Sequence, residues 1–129
     1  MVGKHLPSDL AKSGVLKKTP DGYIYIVPAQ FHGLLAADLP ADKAAFMALA
    51  GAQLSDNFSA TITTAAWRTK PSWMLVAESD RTISQGLERW CTKRAKSQTV
   101  EVAGASHSVY SRPKEGADVI ESAAGTVSK

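Results

Sequence analysis

Two short stretches carry the residues whose types and spacing are best suited to chemistry. Glu78-Ser79-Asp80-Arg81 follows the apolar run Trp73-Met74-Leu75-Val76-Ala77, and Ala103-Gly104-Ala105-Ser106-His107 follows Thr99-Val100-Glu101-Val102. In open α/β sheets, ligands and catalytic groups gather just beyond the carboxyl ends of the strands. One stretch offers a carboxylate there and the other an imidazole. A carboxylate that holds a histidine in one tautomer is two-thirds of an acyl-transfer triad. The plainer reading of the same residues is an aspartate that caps a turn and a histidine in a loop, because a fold alone does not make a site.

The elements that must position this pair come in the order strand, helix, strand. Residues 73–77 form a continuous apolar run without polar alternation, as in a strand covered on both faces of a parallel sheet. Ser84 opens a helical segment in which Leu87, Trp90, Cys91, Arg94 and Ala95 share a face, with Lys93, Arg94 and Lys96 placing positive charge at its negative end. Residues 99–102 return to β character, and a parallel crossover of this length requires a right-handed βαβ unit. Beyond Gly104, Pro113 opens a last helix whose Ala117, Ile120 and Ala124 form an inward stripe, with Ala123 beside it.

Upstream, residues 1–22 read as a loose arm ending in the turn Thr19-Pro20-Asp21-Gly22. Tyr23-Ile24-Tyr25-Ile26-Val27, stopped by Pro28, reads as a short strand or an extended edge segment. From Phe31 to Leu54 the apolar residues Phe31, Leu34, Leu35, Phe46, Leu49, Ala50 and Leu54 recur at helical spacing. The break near Asp38–Pro40 divides this stretch into two helices, with Pro40 in the first turn of the second and Asp42 complementing its dipole. Residues 55–70, around Phe58, Ile62 and Trp67, show no clean period and read as mostly irregular.

Composition narrows the classes of function. With 129 residues, 44% of them hydrophobic and 21% charged, the chain fits one ordinary globular domain. Fifteen basic against twelve acidic residues leave a net charge of +3, too weak and too scattered for a nucleic-acid footprint. The lone Cys91 makes neither an intrachain disulfide nor a zinc site. On the apolar face of a helix it reads as a small core residue rather than a nucleophile. The longest apolar stretch, residues 44–50, falls far short of the ~20 residues of a membrane span. No secretory h-region precedes a cleavage site, so the expectation is a cytoplasmic protein with no membrane partner and no cofactor.

Residues 71–83, Leu87-Glu88-Arg89-Trp90, Lys93-Arg94-Ala95, Thr99-Val100-Glu101-Val102 and Gly104-Ala105-Ser106-His107-Ser108-Val109-Tyr110 resemble the carboxyl-terminal portion of bacterial α/β-hydrolase-fold proteins. Phe31-His32, Ala36-Ala37-Asp38-Leu39-Pro40-Ala41-Asp42 and Ala65 to Lys70 are similar to the helical cap segment of the same proteins, so the resemblance spans about residues 20–124. It implies a truncated α/β-hydrolase fold, with a short parallel sheet, flanking helices and a helical cap remnant. The division expected is an arm over 1–22, a cap-like segment over 23–70 and a strand-helix-strand-helix unit over 71–129. Asp80 takes the place of the family's triad acid and His107 that of its triad base.

The sequence departs from that family at the nucleophile. The fold carries it on a G-x-S-x-G elbow that precedes the acid, and no such elbow occurs here. Ser106 comes after the acid and belongs to the histidine loop, so it does not read as a nucleophile. The resemblance implies ester or related acyl hydrolysis of a small molecule, with little turnover by this chain alone. A non-catalytic binding module using its sheet edge is the alternative, and a homo-oligomer or a separately encoded amino-terminal half are the partners that would complete it. His32 and Trp67 are the residues expected to touch substrate; His5, Trp73 and Trp90 read as structural. No metal ligands are expected.

Overall fold

The computed structural model describes residues 7–49, 53–54, 60–107 and 109–127. His5, Ala50 and Phe58, singled out in the sequence, lie outside them. The elements run α1 (Asp9–Ser13), β1 (Leu16–Lys18), β2 (Tyr23–Ile26), α2 (Pro28–Leu35), α3 (Ala41–Met47), β3 (Gln53–Leu54), β4 (Trp73–Ala77), α4 (Gln85–Ala95), β5 (Gln98–Val102) and α5 (Pro113–Val127), with 3-10 turns at Ala66–Arg68 and Val109–Ser111.

The expected loose arm is structured from residue 8 onward. Ser8 caps α1 by accepting the Ala11 N–H, and Gly14, at φ +68°, ends it in the left-handed region. β1 then pairs antiparallel with β2, Leu16 opposite Ile26 and Lys18 opposite Ile24. The turn between them is the Thr19-Pro20-Asp21-Gly22 signal: the Thr19 N–H donates to the Tyr23 carbonyl and the Tyr23 N–H donates to Thr19 Oγ1. Pairing with a partner eight residues away is what converts a polar segment into a strand.

Pro28 both stops β2 and opens α2, at the first helical position where its missing N–H costs nothing. Pro40 stands immediately before α3 and Asp42 lies in its first turn. The helical stretch ends earlier than the spacing predicts, at Met47, and Leu54 belongs to β3, paired with Tyr23. Phe46 and Leu49, expected inward, are 77% and 82% exposed, whereas Ala44 is fully buried. The core here is Phe31, Ala36, Leu39 and Ala44, with Ile26, Leu35, Met47 and Ala48 against it.

β4, α4 and β5 realise the strand-helix-strand unit, and the strands pair in parallel from Trp73 opposite Gln98 to Ala77 opposite Val102. Side chains alternate across a sheet, so the two helices take opposite faces. Arg89 of α4 reaches Glu101, which sits opposite Val76. Glu115 and Val119 of α5 instead bound a cavity of about 230 Å³ with Trp73, Gln98 and Val100. Ala77, Val102 and Ala105 form the second core cluster, with Leu75 beside them.

In α4 the expected face is turned inward only in part: Leu87, Trp90, Cys91 and Ala95 are half-buried and Arg94 is exposed, while the most buried residues are Glu88 and Thr92 beside that face. In α5, Ala117, Ile120 and Ala124 are exposed, Ile120 at 70%, and Glu115, Gly116, Val119 and Ala123 are the half-buried positions. No helix among the described residues is long and apolar enough to cross a membrane.

Candidate acid–base site

The loops after β4 and β5 are bonded to each other before their side chains meet. The Glu78 N–H donates to the Val102 carbonyl at 3.1 Å and the Ser79 N–H to the Ala105 carbonyl at 2.9 Å. Gly104, at φ +68°, provides the left-handed turn that brings Ala105, Ser106 and His107 back over the end of β4. From the other side, the Arg81 guanidinium is paired with Asp9 at 2.7 Å and donates to the Gly33 carbonyl at 2.9 Å, and Thr82 Oγ1 donates to the Leu34 carbonyl. The loop of Asp80 is thus fixed by α1, α2 and the loop of His107.

Asp80 and His107 meet in this frame. Asp80 is 1% exposed in its side chain; its Oδ1 accepts the N–H groups of Thr82 at 2.6 Å and Ile83 at 2.9 Å, and its Oδ2 lies 2.8 Å from His107 Nδ1. A carboxylate only accepts, so Nδ1 carries the proton and the lone pair of the neutral ring is on Nε2. The Asp80 hydrogen bond raises the His107 pKa above 6.5; burial opposes this, and the charges of Asp80 and Glu88 add to the rise. His107 is 35% exposed in its side chain and lines an open groove of about 690 Å³ with Leu35, Met47, Tyr110, Ala117 and Ile120. A basic nitrogen beside an apolar groove can take a proton from a bound hydroxyl and return it to a leaving group.

Two carboxylates that the sequence did not single out support the pair. Asp38, between α2 and α3, accepts hydrogen bonds from the hydroxyls of Ser106 and Ser111 and from the Ser106 N–H. Burial works to raise its pKa, yet these donors outweigh it and hold the carboxyl below the usual aspartate range. Ser106, 2% exposed, is committed to Asp38 and the Leu35 carbonyl, which agrees with a loop anchor and not a nucleophile. Glu88 of α4 is 7% exposed, and its Oε2 is buried with no hydrogen-bond partner. Burial and the negative charge of Asp80 push its pKa up to about 7, against the opposite pull of His107 and Arg89. The only signal for it in the sequence is position: Ser84, Glu88 and Thr92 recur every four residues on a stripe whose polarity disguises it as a solvent face.

The other two residues expected at the site stand elsewhere. His32 Nε2 donates to the Leu39 carbonyl at 2.9 Å, within the segment that joins α2 to α3. Trp67 is stacked by the guanidinium groups of Arg68 and Arg94, 5.4 and 5.0 Å from its ring centre, and Arg94 also lies 5.2 Å from Trp90. Neither lines the groove at His107. Among the described residues, no group of three or more His, Cys, Asp or Glu is placed to hold a metal ion.

No curated protein and no solved structure matches the chain significantly. A family model described as the alpha/beta hydrolase family matches residues 4–119, nearly the whole chain and all of the segment that carries Asp80 and His107. A carboxylate after one strand, a histidine after the next and this match place the chain in the α/β hydrolase family.

Proposed function

We propose that the chain carries the acid–base pair of an ester or related acyl hydrolase. The observation that carries the reading is the 2.8 Å contact of buried Asp80 with Nδ1 of His107, whose ring borders an open apolar groove. Nε2 removes the proton from the attacking hydroxyl as its oxygen adds to the ester carbonyl. The imidazolium, stabilised by Asp80, then gives that proton to the departing alcohol. The groove of Leu35, Met47, Tyr110, Ala117 and Ile120 suits an apolar acyl or alcohol group.

Among the described residues that line the groove, none is a serine, cysteine or aspartate. Removing the nucleophile from a triad costs about a millionfold in turnover. The pair on its own is therefore a general base toward water, and the full rate belongs to an assembly in which a nucleophile faces Nε2. A small-molecule ester is the substrate class, and the cytoplasm is the compartment, that fit this reading.

The tautomer of His107 tests the assignment without requiring turnover. Nitrogen-15 spectra of the imidazole, recorded above its pKa, are expected to show the proton on Nδ1 in the wild-type chain and its loss from that position in Asp80→Ala. A wild-type ring protonated on Nε2 would overturn the reading, because no lone pair would then face the groove.

A further inference from the structure

The last four carbonyls of a helix have no partner within it and must find donors elsewhere. At the carboxyl end of α2, three of those donors come from the two loops that hold the acid–base pair. The His32 carbonyl accepts the Ala36 N–H, which closes the helix. The next three are met by side chains: Gly33 by Arg81 Nη1 at 2.9 Å, Leu34 by Thr82 Oγ1 at 2.9 Å and Leu35 by Ser106 Oγ at 3.3 Å. Arg81 also brings a positive charge to the negative end of the helix dipole. Thr82 is joined to the site as well, because its backbone N–H donates to Asp80 Oδ1 at 2.6 Å. Ser106 immediately precedes His107, and its hydroxyl, closer to Asp38 than to Leu35, gives its one proton to that carboxylate. Asp38 stands just beyond the end of α2 and accepts the Ser111 hydroxyl as well.

From this arrangement we propose that the carboxyl end of α2 is the positioning platform of the acid–base pair, with Thr82 as the positioning residue on the side of Asp80 and Asp38 as the one on the side of His107. The inference rests on the reading of Asp80 and His107 as that pair and extends it to residues that do not touch the reacting nitrogen. Asp80 Oδ2 lies 2.8 Å from Nδ1, and a carboxylate keeps such an aim only while its other oxygen is fixed. The N–H groups of Thr82 and Ile83 fix Oδ1, and the Thr82 hydroxyl ties the first of them to α2. On the other side, Asp38 holds Ser106 and Ser111, which stand before and after His107 in the chain. Leu34 is the last residue but one of α2 and Asp38 follows its end closely, so the separation of the two loops is set by one helix and not by either loop. The Leu35 side chain lines the groove, so the same platform sets where a bound ester lies relative to Nε2.

The test follows the Nδ1 proton of His107 by NMR in the wild-type chain, Thr82→Val and Thr82→Ser. Valine keeps the shape and the backbone N–H but removes the donor to the Leu34 carbonyl; serine restores it. In Thr82→Val the Nδ1 proton signal is expected to move upfield and its exchange with water to quicken about tenfold, as the loss of one hydrogen bond would give. Both are expected to return to their wild-type values in Thr82→Ser. Ser111→Ala loosens the side of His107 through Asp38 and is expected to move the signal in the same direction, which keeps the test decisive should the valine chain not fold. Arg89→Ala breaks an exposed ion pair with Glu101 that makes no contact with α2, and is expected to leave the signal in place. An unchanged Nδ1 proton in either folded variant, a valine effect that serine does not reverse, or an equal move in Arg89→Ala would overturn the proposal. A wild-type ring without a proton on Nδ1 marks failure of the acid–base pair itself, which separates the two outcomes.

Discussion

At the scale of single residues, each side chain of the site is held by donors or acceptors from a different part of the chain. Asp80 combines two adjacent N–H groups with the imidazole, and Asp38 gathers the hydroxyls of Ser106 and Ser111, which flank His107 on both sides. Substituting Asp38→Ala leaves the buried Ser106 hydroxyl with only the Leu35 carbonyl, 3.3 Å away. A loss of about 1–3 kcal/mol in urea unfolding is expected. The pH dependence has a definite sign. The Asp38 pKa is depressed in the folded chain, so its contribution is complete above the unfolded value near 3.8 and is lost as pH falls through the lower folded value. Stability measured down an acid series should therefore show a steeper fall in the wild type than in Asp38→Ala; parallel curves would contradict this role. The catalytic candidates themselves were legible from residue type and place, Asp80 three residues after one apolar run and His107 five after the next. Asp38 and Glu88 were not: the donors to Asp38 lie far away in sequence, and the burial of Glu88 falls on a helix stripe that reads as polar.

At the scale of elements, β4, α4 and β5 were readable because each carries a local signal. Residues 73–77 are uniformly apolar, Ser84 is the N-cap of α4, and Lys93 and Arg94 occupy its last turn. The inward face of α4 was readable only in part, and that of α5 was not. A two-stranded sheet covers only a narrow stripe of each helix, and in α4 the most buried residues on it are the polar Glu88 and Thr92. In α5, Ala117 and Ile120 face the groove of His107, so apolar residues that look like core are placed at the site instead. The turn after β5 offers a test of how far the loops depend on backbone geometry. At φ +68°, Gly104 has room for a side chain, since an added Cβ would sit 3.5 Å from Arg112 Nη2, an ordinary contact. Gly104→Ala is therefore expected to lose stability through the left-handed backbone alone, about 1–2 kcal/mol by urea unfolding. An unchanged midpoint would show that the turn does not hold the His107 loop in this conformation.

At the scale of the whole molecule, the segment before β4 and the strand-helix-strand unit are joined through the loops that hold Asp80 and His107. Arg81 ties Asp9 and Gly33 to the loop of Asp80, and Asp38 ties the α2–α3 corner to the loop of His107. The arm read as loose contributes a helix and a strand because its partners, Arg81 and β2, are long-range ones that composition does not reveal. β4 pairs with β5 alone among the described strands, and the groove at His107 opens beside exposed Tyr110 and Ile120. Whether this assembly of parts does the chemistry its pair is built for is decided most directly by hydrolysis of a short activated ester. The purified chain is compared with His107→Ala and Asp80→Ala in the same buffer. The account predicts slow turnover by the wild type, far below that of a complete triad, which His107→Ala abolishes and Asp80→Ala reduces; equal rates for all three chains, matching buffer alone, would contradict it.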